Sequence, residues 1–279
     1  MPAMVLALIL KAMRLTLYGT AHNYLIPDAP KFTGNYAKTP PSSANTLKVV
    51  TFNIRNAQKI KQAVVELREF VELRDADILL LQEMDNQGSD KIAQALEYNY
   101  IYYPALMNPR KNRYVGNAIL TKWPICETAK ILLPHENPVN KQRRIAVYAT
   151  ITINNQAINI YSVHIEPLWL SRSKRVDQVN ALINHILERD TPSPYIIVGG
   201  DFNTLMGSEI ETFTRRFRTA GLERHTAGVG PTYNVFGVEL DHIYTKGMRA
   251  IVAGKVEKSK ASNHFPVWVK LEKEPPLLL

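Results

Sequence analysis

Apolar positions along the chain follow two alternating periods. LKVVTFNI (47–54), GNAILTK (116–122), RIAVYATITI (144–153), QAINIYSVHIE (156–166), LDHIYTKG (240–247) and FPVWVKLE (265–272) are short runs rich in β-branched and aromatic residues, and they predict strands. DILLLQE (77–83) and YIIVGGDFN (195–203) carry short unbroken apolar stretches, as expected of strands covered on both faces. Between these runs the period changes. Ile60, Val64, Leu67 and Val71 recur at helical spacing, and residues 171–189 carry Val176, Val179, Ile183 and Ile186 on one stripe. Ser89 is placed to cap a helix bearing Ile92 and Leu96. Ser208 with Glu211 reads as a capping box opening a helix through Phe213 and Phe217. Asn154-Asn155 predicts a tight hairpin between the strands that flank it. Strands and helices interleave, so the pattern predicts an α/β fold.

The first 46 residues do not share this alternation. Residues 4–10 (MVLALIL) are continuously apolar and are then interrupted by Lys11 and Arg14. Seven residues cannot span a bilayer, which takes about 20, and the charges follow the apolar run instead of preceding it, as an export signal requires. Three readings stay open: an atypical export signal, a basic amphipathic anchor lying on a membrane through residues 3–18, or a helix packed on the domain. Exported or membrane-associated placement is favoured over cytoplasmic. Residues 19–46 are rich in turn and breaker residues and read as an extended arm. The catalytic-looking domain is expected over 47–272, with 273–279 as a tail, and a monomer is expected.

Composition narrows the classes. With 46% hydrophobic and 21% charged residues over 279 positions, the chain is of ordinary globular composition and not disordered. Its single cysteine, Cys126, excludes an internal disulfide and a cysteine-rich zinc site. A net charge of +9 favours anionic partners. Basic residues cluster at Arg110-Lys111-Asn112-Arg113, at Lys141 with Arg143 and Arg144, and at Arg172-Ser173-Lys174-Arg175; the last run follows His164 and is a candidate lining for a substrate approach.

Candidate chemistry lies at the ends of the apolar strands. Asn53, Glu83, His164, Asp201 with Asn203, Asp241 and His264 each sit at or just past such a run. A carboxylate such as Glu83 suits Mg²⁺, which takes hard oxygen ligands and keeps waters that a substrate phosphate can displace. Asp201 and Asn203, two residues apart, place side chains on one side of an extended backbone, one to accept a proton from water and one to donate to phosphate. His264, held and charged by a carboxylate such as Asp241, would stabilise a pentacovalent transition state.

TFNIR (51–55), LLLQE (79–83), GNAIL (116–120), SVHIE (162–166), GGDFN (199–203), LDHIY (240–244) and SNHFPVWV (262–269), in this order, resemble the endonuclease/exonuclease/phosphatase superfamily of DNase I-like proteins. The resemblance implies a four-layer α/β/β/α sandwich with two mixed β-sheets and Mg²⁺-dependent phosphoester hydrolysis, with Mn²⁺ as a substitute. It places Glu83, Asn53 and Asn263 at the metal, and Asp201, Asn203, His164, Asp241 and His264 in catalysis. Asn117, in the GNAIL block, reads as scaffolding. Two positions depart from the family pattern. Asn263 stands where Ser-Asp-His is usual, and Arg55 stands where some members carry an acid. Both remove negative charge near the metal and point to one, weakly held ion. The expected activity is that of a phosphodiesterase acting on nucleic acid or a phospholipid head group. The alternative is a non-catalytic polyanion-binding module on the same fold.

Overall fold

The protein is described from a computed structural model covering residues 21–38, 44–108, 112–189 and 193–275. In chain order its elements are β1 (His22–Asn23), β2 (Phe32–Asn35), β3 (Thr46–Asn53), α1 (Ile60–Glu69), β4 (Ile78–Met84), α2 (Asn86–Leu96), β5 (Asn99–Asn108), β6 (Arg113–Thr121) and β7 (Ile125–Glu136). There follow β8 (Arg143–Ile153), β9 (Gln156–His164), α3 (Arg172–Leu187), β10 (Tyr195–Asp201), α4 (Gly207–Arg218), β11 (Glu223–Arg224), β12 (Asp241–Lys246), β13 (Met248–Lys255) and β14 (Val267–Lys273).

The strands form two sheets. One runs β1-β5-β6-β4-β3-β14-β13, with β2 also pairing with β5; the other runs β11-β12-β10-β9-β8-β7. Each is mixed, because β3 and β4 run parallel in the first and β9 and β10 run parallel in the second. The unbroken apolar runs in the central strands follow from burial on both faces. Val49, Ile78 and Leu80 pack between the sheets with Ile145, Ile160, Ile197 and Ile243. Their neighbours Val50, Leu79 and Leu81 turn the other way, onto Leu67 of α1 and Ile92 of α2. Beyond the second sheet, Tyr161, Val163 and Val198 meet Val179 and Ile183 of α3 and Phe213 and Phe217 of α4. Helices, sheet, sheet and helices therefore make four layers, as expected.

Local details both keep and revise the sequence reading. Asn154 and Asn155 make the two-residue turn between β8 and β9 with φ of 55° and 60°, a left-handed conformation that asparagine tolerates. Ser89 is not the cap of α2. Asp85 is, its side chain accepting from Gly88 N, while the Ser89 hydroxyl turns back onto the Asp85 carbonyl. The Ser208–Glu211 capping box does not form either. Met206 is the N-cap residue of α4 and makes no side-chain cap bond; Glu209 turns back instead to accept from Leu205 N. β5, β7 and β13 were not anticipated. β5 is apolar on both faces without alternation and carries Pro104 at a register shift, where no ladder N–H is needed. β7 and β13 are edge strands interrupted by register shifts.

The arm needs the largest revision. Among its described residues, β1 and β2 anneal to β5, Phe32 and Tyr36 pack against the first sheet's outer cluster, and Lys130 donates to the carbonyls of Tyr24 and Ala29. Its turn-rich composition reflects short strands joined by turns, not a free tether. β14 runs through Lys273, one residue into the expected tail. The apolar residues 3–18 lie outside the described residues, as do Arg110 and Lys111.

Candidate active site

Strand direction gathers the polar strand ends at one place. β3 and β4 are parallel and end at Asn53 and just past Glu83; β9 and β10 are parallel and end at His164 and Asp201, which pair directly across the ladder. β12 runs antiparallel to β10, so its first residue, Asp241, is the register partner of Asp201. Gly199 lets the two sheets approach closely here, and Gly200 lets β10 lie close against β9 within its own sheet. A Cβ on Gly199 would stand 2.6 Å from Leu80 Cδ1 of the opposite sheet, and one on Gly200 would stand 1.9 Å from the Val163 carbonyl oxygen. Just beneath, a polar belt ties the sheets. Gln82 donates to Ser162 Oγ, and Asn117 donates to the carbonyls of Ile145 and Ser162. Asn117 is thus scaffolding, as its motif suggested; Gln82 and Ser162 had no such signal.

Asp201 is the hub. It is 2% exposed, and one of its oxygens, Oδ2, meets three separate side chains. Asn53 Nδ2 donates to it at 2.8 Å, His164 Nε2 lies at 3.4 Å and His264 Nε2 at 3.8 Å. The other oxygen accepts from Asn203 N at 2.9 Å. Burial raises the Asp201 carboxyl above its ordinary range; His264 and the bonds from Asn53 and Asn203 pull down against it, and Asp241 adds to the rise.

His264 is held at its other nitrogen. Nδ1 lies 2.9 Å from Asp241 Oδ2, which also accepts from the Thr232 hydroxyl at 2.7 Å. Burial opposes charge on this ring, but the Asp241 and Asp201 carboxylates outweigh it and raise its pKa to about 9. The imidazole is therefore a cation at neutral pH. The Tyr233 ring packs edge-on against it, 4.9 Å between centroids.

Glu83 adopts a left-handed φ of 54° and takes one hydrogen bond, from Asn56 Nδ2 to Oε2 at 3.0 Å. Arg55, Asn56 and Ala57 are left-handed as well, so backbone strain collects beside the site. Arg55 N donates to Asn53 Oδ1, while the Arg55 side chain is exposed. Asn263 Oδ1 accepts a long bond from Ser262 Oγ at 3.4 Å, and the Tyr233 hydroxyl also bonds to the Asn263 side chain. Asn203 Nδ2 spends one hydrogen on the Ile165 carbonyl.

The arrangement suits a hard divalent cation. Glu83, Asp201 and Asp241 bring three carboxylates against the two fixed cations Arg144 and His264, and Asp241 Oδ1 is buried without a hydrogen-bond partner. Asp201, Asp241 and His264 bring donor atoms within 4.8 Å of one another, but with the charged His264 seated between the two carboxylates this cluster is an internal ion pair, and Glu83, outside it, is the carboxylate left for a metal. Oxygen-rich donors with excess negative charge are what Mg²⁺ takes.

The basic runs fare differently from expectation. Arg175 is 1% exposed and is consumed by Glu209 and the Asn203 carbonyl, so it supports the Asp201–Asn203 loop and does not line an approach. Arg172 bonds the Ser208 carbonyl and Thr212, and Arg113 pairs with Asp85. Arg144 is the exception. It reaches into the site, with Nε on Glu166 Oε2 at 2.7 Å and Nη1 3.2 Å from His164 Nδ1. The sequence marks Arg144 only as one of a basic cluster and Glu166 only as the close of the SVHIE block; neither carries a signal for this pairing.

A profile of the endonuclease/exonuclease/phosphatase family matches residues 50–264, and the chain belongs to this family of hydrolases, which act on phosphoester bonds. It is 24% identical over 267 residues to a UPF0294 protein of Erwinia tasmaniensis, covering 94% of this chain and 95% of that one. Solved structures share the fold. An endonuclease/exonuclease/phosphatase from Beutenbergia cavernae superposes with TM-score 0.68 at 15% identity, over 85% of this chain and 74% of its own. Danio rerio TDP2, solved with a single-strand DNA product, superposes at 0.65 with 15% identity, over 82% of this chain and 100% of its own.

Proposed function

We propose that the protein is a Mg²⁺-dependent phosphodiesterase. The observation that carries this reading is the single buried oxygen, Asp201 Oδ2, faced by Asn53, His164 and the charged His264. A carboxylate raised by burial is suited to take a proton from water, and a cation beside it is suited to meet the charge that then grows on phosphorus-bound oxygen. Pure polyanion binding needs no such proton acceptor.

In this mechanism a substrate phosphate enters between the two histidines. Asp201 accepts a proton from a water, whose oxygen bonds to phosphorus as the P–O bond on the opposite side breaks and the leaving oxygen takes a proton from solvent. His264, kept charged by Asp241, stabilises the pentacovalent state. His164 and the remaining Asn203 N–H donate to non-bridging oxygens. Glu83, Asn53 and Asn263 would hold the metal, which would supply charge neutralisation at the phosphoryl oxygens.

The substrate is a phosphodiester, in nucleic acid or in a phospholipid head group. Hydrolysis of bis-(p-nitrophenyl) phosphate by the natural protein and by Asp201→Asn tests the reading, followed by plasmid DNA, single-stranded DNA and phospholipid vesicles. The Asn variant should lose about 10²–10⁴-fold in kcat, the range of general acid–base catalysis. Binding of these polyanions without any turnover by the natural protein would mean a binding module instead.

A further inference from the structure

Arg144 and His164 stand on neighbouring strands, β8 and β9, and the chemistry of the guanidinium dictates the state of the imidazole. An arginine side chain only donates hydrogen bonds and stays charged. With Arg144 Nη1 3.2 Å away, His164 Nδ1 must offer its lone pair. A proton on Nδ1 would set donor against donor, and a doubly protonated ring would also set cation against cation. One form fits: a neutral ring with its proton on Nε2, the nitrogen 3.4 Å from Asp201 Oδ2.

Arg144 is itself fixed. Its Nε donates to Glu166 Oε2 at 2.7 Å, Asn137 Nδ2 donates to Glu166 Oε1 at 2.7 Å, and Glu166 N donates to Gln178 Oε1 at 2.9 Å. Glu166 is 1% exposed, with both carboxylate oxygens engaged. Burial works against charge on Arg144, and Glu166, Glu83 and Asp201 outweigh it, so the guanidinium stays a cation in the interior. The chain of contacts runs from the 137–142 turn through Glu166 and Arg144 to His164, and it ends at the hub carboxylate.

We propose that Glu166 and Arg144 are positioning residues that lock His164 as a neutral Nε2–H donor facing the substrate phosphate. The site then carries two imidazoles of fixed and different charge. His264, on a carboxylate, is the cation; His164, on a guanidinium, is the neutral donor. The opposite tautomer of His164 would turn a lone pair toward an anionic phosphate oxygen and repel it. The identity of the acceptor rests on the phosphodiesterase reading. The tautomer does not, because the free protein's own geometry sets it.

Long-range ¹H–¹⁵N spectra of the histidine rings in the unliganded, ¹⁵N-labelled full chain at neutral pH test the proposal, with His164 assigned from the resonances lost in His164→Gln. The natural protein should show His164 protonated on Nε2 alone. In Glu166→Gln the tautomers should mix or the ring take a second proton. For a phosphodiester the enzyme turns over, kcat should fall about 10–100-fold, the range for partners that orient a functional histidine, while KM changes less than about threefold. Arg144→Lys keeps the charge but cannot reach both partners, and should give the same spectrum if Glu166→Gln fails to fold. A His164 protonated on Nδ1, or on both nitrogens, in the natural protein would overturn the lock. An unchanged tautomer in folded Glu166→Gln or Arg144→Lys protein would overturn the positioning role, whatever happens to kcat. Absence of all hydrolysis would count against the phosphodiesterase reading and leave the spectral result to decide the lock.

Discussion

Asp201 and His264 are shifted in opposite functional senses, and their pH dependence follows from the signs. Asp201 must be unprotonated to accept a proton, and burial raises its pKa; activity is therefore lost as pH falls through a value above the ordinary carboxylate range. His264 must be protonated, and its folded pKa is about 9; its contribution is intact at neutral pH and is lost as pH rises through about 9. A profile of kcat/KM against pH should thus be bell-shaped, with the alkaline limb near 9, and His264→Gln should abolish that limb. An alkaline limb that persists in folded His264→Gln protein would show that another group titrates there. These two residues, with Asn53, Glu83, His164 and Asp241, were legible because each ends an apolar run, where a polar side chain has no packing reason to be. Arg144, Glu166 and Thr232 were not. A buried arginine and an exposed one look alike in a basic cluster, and whether a carboxylate is free or committed depends on partners far away in sequence, as with Asn137 and Glu166.

At the scale of elements, strand and helix positions were readable wherever burial imposed a period, and caps were not, because competing polar residues lay within a few positions. Asp85 displaced Ser89, and Glu209 left Ser208 without a capping role. Edge strands β7 and β13 and the two-sided β5 lacked a clean alternation and were missed. The Gly199-Gly200 pair has a physical reason in close approach, Gly199 to the opposite sheet and Gly200 to the adjacent strand. Two substitutions separate the demands. Gly200→Ala meets the Val163 carbonyl, rigid backbone of the adjacent strand, and should cost about 3 kcal/mol or more; Gly199→Ala meets chiefly side-chain atoms, the tip of Leu80 and then Ile243 Cγ1, and should cost about 1 kcal/mol. Urea denaturation of both variants measures this, and equal losses would mean that the strands yield as readily as a side chain.

For the whole molecule, two sheets face each other across an apolar core and open their polar strand ends on one edge, so the site belongs to neither sheet alone. Within the basic runs, Arg113, Arg144 and Arg175 are spent on Asp85, Glu166 and Glu209. The amino-terminal arm is likewise part of the body. Removing residues 1–20 sets the reference melting temperature, because these residues precede the described strands. Removing residues 1–38 strips β1 and β2 from β5 and should lower it by about 5 °C or more, since ~1 kcal/mol moves a domain of this size by ~2–4 °C. Equal melting temperatures for the two truncations would show that the annealed strands contribute nothing. A Mg²⁺ titration of hydrolysis shows whether a carboxylate at these strand ends, Glu83, holds a metal that works with Asp201 and His264 on a phosphodiester. The natural protein stripped with EDTA and folded Glu83→Ala protein are to be compared. Turnover should vanish with EDTA, return with Mg²⁺ in the natural protein, and stay at least about 10²-fold lower in Glu83→Ala at every Mg²⁺ concentration. Hydrolysis that survives EDTA, or Mg²⁺-dependent turnover retained in folded Glu83→Ala, would contradict that role.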